Sequence, residues 1–146
     1  MPCIMGKGYV SMQVKTRATS HSKYNINYHL VWCPKYRHQI LDGQIEVYLK
    51  KLINNICDHY KYELLSMEVM PDHIHLFVSV KPYVSPMEVV KTIKSIAAVW
   101  MFKKFPNLKK RKFWGSGLWS KGYYVGTAGT VSAETIQKYI KNQKLV

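Results

Sequence analysis

Apolar side chains recur at every second position through Tyr24-Asn25-Ile26-Asn27-Tyr28-His29-Leu30-Val31-Trp32, with Asn25, Asn27 and His29 set between them. That period of two predicts a strand with one buried face, ending near Pro34. The period then lengthens. Ile45, Tyr48, Leu49, Leu52, Ile53, Ile56, Cys57 and Tyr60 fall at steps of three and four, which predicts a helix with one buried stripe. Tyr62 to Met70 and His73 to Val80 read as two strands joined at Pro71-Asp72, a connection short enough for an antiparallel hairpin. Ser85-Pro86-Met87-Glu88 combines a serine N-cap, a proline at the first helical position and a glutamate placed for a capping box. The helix it opens should run to about Lys104 and bury Val90, Ile93, Ala97, Trp100 and Met101. A short strand over Tyr123 to Thr127 and a thinly apolar helix from Ser132 to about Gln143 complete the predicted elements.

Strand, helix, strand, strand, helix, strand is the α+β ferredoxin-like order, an antiparallel sheet with helices on one face, here followed by a terminal helix. Residues 1–20 carry glycines, cations and hydroxyls without an apolar period and are expected to be a flexible basic lead-in. Residues 21–146 form one domain.

Charge narrows the partners. The 22 Lys and Arg against 8 Asp and Glu give a formal net charge of +14, which favours a polyanion. The basic residues concentrate: no acidic residue lies between Glu88 and Glu134. In Lys109 to Tyr124 the cations interleave with Phe113, Trp114, Trp119, Tyr123 and Tyr124, as a surface for phosphates and unstacked bases would require. Lys35, Arg37, Lys109, Lys110, Arg111, Lys112, Trp114 and Trp119 are the expected nucleic-acid contacts, although aromatic core residues beside a basic loop would have the same composition. Three cysteines without Cys-x-x-Cys spacing suggest neither a disulfide framework nor a cysteine zinc site. No stretch approaches the roughly 18 apolar residues of a membrane span, and a cytoplasmic protein is expected.

His73 and His75 are candidates for chemistry. One residue apart on a strand, they share a face, while Ile74 and Leu76 take the other. Two imidazoles on one face can share a metal ion, and half-buried polar residues would look the same. Asp72, after Pro71, is expected to be a turn residue, with a contact to a histidine as the lesser alternative. Tyr139 and Gln143 lie four apart, on one side of the terminal helix.

These pieces together carry a resemblance. His73-Ile74-His75 on a sheet strand, followed by Tyr139-Ile140-Lys141-Asn142-Gln143 on a terminal helix, resembles the single-tyrosine HUH transposases of the IS200/IS605 insertion sequences. Tyr28-His29-Leu30-Val31-Trp32-Cys33-Pro34-Lys35-Tyr36-Arg37 resembles the first strand of that family, and Tyr124-Val125-Gly126-Thr127 its approach to the catalytic helix. The likeness covers about residues 24 to 143. It implies that His73, His75 and Gln143 ligate magnesium or manganese, and that Tyr139 attacks single-stranded DNA at hairpin-forming element ends. The attack would leave a 5′-phosphotyrosine and a free 3′-hydroxyl for strand joining. It further implies a homodimer, in which the tyrosine helix can complete either subunit's histidine site. Two other readings stand beside it: a domesticated relative cutting dispersed palindromic repeats, and a non-catalytic nucleic-acid-binding module of the same fold.

Overall fold

The computed structural model describes residues 9–11, 16–18, 23–113, 117–127, 130–132 and 139–142. In chain order the elements are β1 (Tyr9–Ser11), β2 (Arg17–Ala18), β3 (Lys23–Tyr24), β4 (Asn27–Trp32), a 3-10 turn (Lys35–Arg37), α1 (Gly43–Tyr60), β5 (Glu63–Met70), β6 (His73–Ser79), α2 (Pro86–Lys104), α3 (Pro106–Leu108), a π-helical turn (Lys109–Phe113), β7 (Tyr124–Gly126) and β8 (Thr130–Ser132). Residues 139–142 are helical.

Four strands make the main sheet in the order β5-β6-β4-β7, every pair antiparallel. With β4 as the first strand of the fold, this is the ferredoxin-like order, and α1 and α2 pack together on one face. The period-two pattern explains the layering. Leu30, Trp32, Ile74, Leu76 and Val78 point into the helices and are almost wholly buried against Leu49, Ile53, Ile93, Ala97 and Met101. The opposite face carries His29, His73, His75 and Phe77.

Local signals end the helices as the residues dictate. Ser85 Oγ accepts the amide of Glu88 at 3.1 Å, satisfying a donor that the first turn of α2 leaves free. Lys61 closes α1 in the left-handed region (φ 64°), where its amide meets the Cys57 and Asp58 carbonyls. Cys33 and Cys57 are free and buried.

Three readings are corrected. Trp100 is 48% exposed: successive helical residues lie about 100° apart, so Trp100 and Met101 cannot both face the sheet, and Met101 takes that place. Tyr60, at the end of the α1 stripe, is likewise exposed. Ser132 is not a helix cap; it pairs with Tyr9 in a two-stranded sheet of β1 and β8. Parts of the lead-in are therefore strands. Arg17–Ala18 also pairs with Lys23–Tyr24, and Arg17 donates to Ser79 Oγ at 3.0 Å while meeting Glu63 at 3.6 Å.

Candidate active site

The hairpin of β5 and β6 creates the histidine pair. The turn at Pro71-Asp72 starts β6 so that His73, His75 and Phe77 all face away from the helices. Strand pairing then sets their neighbours, because directly opposed residues share a face. His75 stands opposite Glu68 on β5 and Val31 on β4; Phe77 stands opposite Ser66 and His29.

Each histidine is held on one side. Asp72 Oδ1 lies 2.9 Å from His73 Nδ1, which places a proton on Nδ1 and fixes the ring so that Nε2 is the nitrogen left to ligate. His75 Nε2 lies 3.3 Å from His29 Nδ1, and the His29 ring stacks on Phe77 with centroids 4.1 Å apart. Burial, reinforced by His29 and then His73, pushes the His75 pKa down to about 3, so this ring is neutral at physiological pH and available as a ligand.

The other ring nitrogens are telling. His73 Nε2 and His75 Nδ1 are buried with no hydrogen-bond partner among the described residues. An unpartnered buried polar atom costs free energy comparable to a lost hydrogen bond, and a cation bound by such a nitrogen's lone pair would remove that cost. The donor set fits a divalent ion that keeps other positions open, and imidazole suits several first-row metals. Among the described residues no group of three or more His, Cys, Asp or Glu is arranged to hold a metal. The third expected ligand, Gln143, lies outside the described residues.

Tyr139 reaches the same face. Tyr124 on β7 opposes Val31, which opposes His75, so Tyr124, Val31, His75 and Glu68 form one row across the sheet. The Tyr139 ring sits 6.0 Å from that of Tyr124, at the β7 end of this row. Its hydroxyl is buried without a partner among the described residues, and burial pushes the phenol well above its usual pKa, with Cys33 adding to the shift. Ile140 is buried, and its carbonyl accepts Arg37 Nη1 at 3.2 Å.

Two neighbours escape a reading from sequence. Alternation puts His29 on the polar face of the first strand, but nothing local says that this strand lies beside β6. Glu68, directly opposite His75, has one carboxylate oxygen buried without a partner among the described residues, and burial raises its pKa against the pull of Lys50. The sole local signal for it is its even spacing from Met70 on the strand.

The expected DNA contacts are dispersed. Lys109, Lys110 and Lys112 are exposed on the π-helical turn, and the Lys112 carbonyl meets His38 Nε2 at 3.0 Å. Arg111 lies on that turn, and Trp114 is outside the described residues. Lys35 sits over the Tyr36 ring at 5.6 Å, whereas Arg37 is directed to the helix of Tyr139. Trp119 is half-buried: its indole N–H donates to the Lys94 carbonyl at 3.0 Å and its ring meets Trp32 edge-on. No described helix is long and apolar enough to cross a membrane.

Comparison with known proteins accounts for the arrangement. The family profile described as "Transposase IS200 like" matches residues 22–143. The chain is 38% identical over 135 residues to the ISDra2 transposase TnpA of Deinococcus radiodurans, covering 92% of this chain and 96% of that one. It is 31% identical over 127 residues to the transposase for insertion sequence element IS200 of Salmonella typhimurium, covering 87% and 82%. A crystal structure of a Deinococcus radiodurans R1 protein assigned as a transposase superposes with a TM-score of 0.79 at 38% identity, covering 87% of this chain and 97% of that one. The fold also matches a REP-associated tyrosine transposase bound to a REP hairpin, at a TM-score of 0.50 and 14% identity. With the sheet order, the paired histidines and the tyrosine helix in place, the chain belongs to the IS200/IS605 family of single-tyrosine HUH transposases.

Proposed function

We propose that this chain cuts and rejoins single-stranded DNA at hairpin-forming ends of an insertion sequence, with Tyr139 as nucleophile. The observation that carries the reading is the row across the sheet: the Tyr139 phenol lies beside Tyr124, on the face where His75 and His73 each have a ring nitrogen without a partner among the described residues. Tyr139 Oη gives up its proton to solvent as it forms a bond to the phosphorus, the bond from phosphorus to the 3′-oxygen breaks, and that oxygen takes up a proton from solvent and leaves as a 3′-hydroxyl. The phosphodiester is conserved as a 5′-phosphotyrosine, so joining needs only attack by another 3′-hydroxyl.

His73 and His75, with Gln143, would hold magnesium or manganese, which when bound supplies charge stabilisation at a scissile phosphate. The protein's own groups prepare for it. Asp72 and His29 fix the two rings, and burial keeps His75 neutral. The Tyr139 phenol is protonated at neutral pH and burial disfavours its phenolate further, so its proton leaves only as the bond to phosphorus forms. Lys109, Lys110 and Lys112 offer an exposed cationic surface to the DNA backbone. The active form is a homodimer on this reading, and light scattering of the free and DNA-bound protein tests that part.

The experiment is a denaturing gel. Native protein incubated with single-stranded element-end DNA and magnesium should give a covalent adduct that Tyr139→Phe does not form, while Tyr139→Phe still binds the DNA. Tight binding with no adduct from native protein would instead establish a non-catalytic module.

A further inference from the structure

Lys35-Tyr36-Arg37 is a strained turn of the described backbone. Tyr36 and Arg37 are consecutive residues with φ of 62° and 52°, in the left-handed region that side chains other than glycine seldom occupy. Such strain persists only where the surroundings impose it. Here they do: the Lys35 amide bonds the Leu118 carbonyl at 2.8 Å, the Ser120 amide bonds the Cys33 carbonyl at 3.0 Å, and the Arg37 amide returns to Pro34. The turn is thus a platform fastened to the segment around Trp119.

The strained turn directs a guanidinium at the nucleophile's helix. Arg37 Nη1 donates to the carbonyl of Ile140, the residue next to Tyr139, at 3.2 Å. Among the described residues this is the hydrogen bond that joins residues 139–142 to the body of the protein. Burial of Ile140 anchors the helix, but an apolar contact has no direction and leaves the helix free to roll. A hydrogen bond from a fixed guanidinium has direction, and so sets where the Tyr139 phenol points. The side chain is half-buried, and Arg37 Nε is buried with no partner among the described residues, unlike the exposed Lys109, Lys110 and Lys112.

We propose that Arg37 is a positioning residue that seats the tyrosine-bearing helix on the histidine face, and not a phosphate contact. The proposal rests on Tyr139 being the nucleophile, and its test separates the two ideas. Arg37→Ala and Arg37→Lys are compared with native protein by hydrogen exchange at amides 139–142 without DNA, by DNA affinity, and by the rate of adduct formation at saturating DNA.

Removing a charge-assisted hydrogen bond should lower the docking equilibrium by roughly tenfold or more. Arg37→Ala should therefore exchange faster at residues 139–142 and form adduct more slowly, by up to about tenfold for a tenfold loss in docking, with DNA affinity within about threefold of native. Arg37→Lys, which keeps one charged donor but not the fork, should recover part of the rate. Unchanged exchange at residues 139–142 in a folded Arg37→Ala protein overturns the proposal. So does weaker DNA binding with a shallower salt dependence and an unaltered saturating rate, which would make Arg37 a phosphate ligand. If native protein forms no adduct, the nucleophile reading fails while the exchange measurement still decides whether Arg37 seats the helix.

Discussion

Replacing Asp72 with alanine removes the carboxylate that holds His73 Nδ1 at 2.9 Å, and with it the constraint that turns the Nε2 lone pair onto the site. Asp72 is half-buried at the hairpin turn, so the fold should tolerate the change. Losing one partly exposed hydrogen bond costs about 1 kcal/mol, or about 3 °C in melting temperature for a chain of this length. The effect on ligation should be larger relative to its own scale. Removing the partner that orients a metal-binding histidine typically weakens affinity about 10- to 100-fold, equivalent to about 1.4–2.7 kcal/mol. Manganese titration followed by electron paramagnetic resonance reads the affinity directly, and the metal dependence of adduct formation reads its consequence. In Asp72→Ala both midpoints should move to higher metal by the same factor, with the rate at saturating metal largely recovered. An unchanged manganese affinity in a folded variant would refute the role given to Asp72 and weaken that given to His73.

Further outcomes follow from the same geometry. Replacing Lys109, Lys110 and Lys112 by alanine should weaken DNA binding across sequences and reduce the salt slope by about one unit for each phosphate no longer neutralised, measured by fluorescence anisotropy over a salt series. Glu68→Gln addresses a carboxyl whose folded pKa is raised by burial. The folded state then holds a proton that the unfolded state releases, so the stability this group contributes is complete below about pH 4.5 and is lost as pH rises through the raised folded value. In chelator, the Glu68→Gln protein should therefore lose less stability than native protein between pH 4 and 7, as read by chemical denaturation. Ser85→Ala should lower stability by about 1 kcal/mol without altering metal affinity, since it removes a helix cap remote from the histidines.

How much of the molecule is legible in its sequence depends on the range of the forces involved. The alternation from Tyr24 to Trp32, the steps of α1 and the Ser85-Pro86-Glu88 start are imprints of local backbone geometry, and the helices appear where they predict. The predicted strand is divided: Asn27–Trp32 joins the main sheet and Tyr24 ends a short strand paired with Arg17–Ala18. The shared face of His73 and His75 is of the same kind, because alternation needs no knowledge of neighbours. Asp72, expected in the turn with a histidine contact as the lesser alternative, serves as both.

Position in the sheet is another matter. The sequence alone determined an α+β chain of ferredoxin-like order, a basic surface, and two imidazoles turned the same way. Beyond the hairpin of β5 and β6 it could not determine which strands lie side by side, since pairing elsewhere joins residues 46 positions apart, as with His29 and His75. Nor could it say which cations face solvent. Lys94, in the middle of the basic run, donates to the Ser120 and Gly122 carbonyls, and Trp119 is tied to α2. Only the tertiary structure placed His29 behind His75, Glu68 opposite it, Tyr139 beside Tyr124 and Arg37 on the Ile140 carbonyl. Periodicity records what a residue's own backbone does; register and long-range packing decide what it meets.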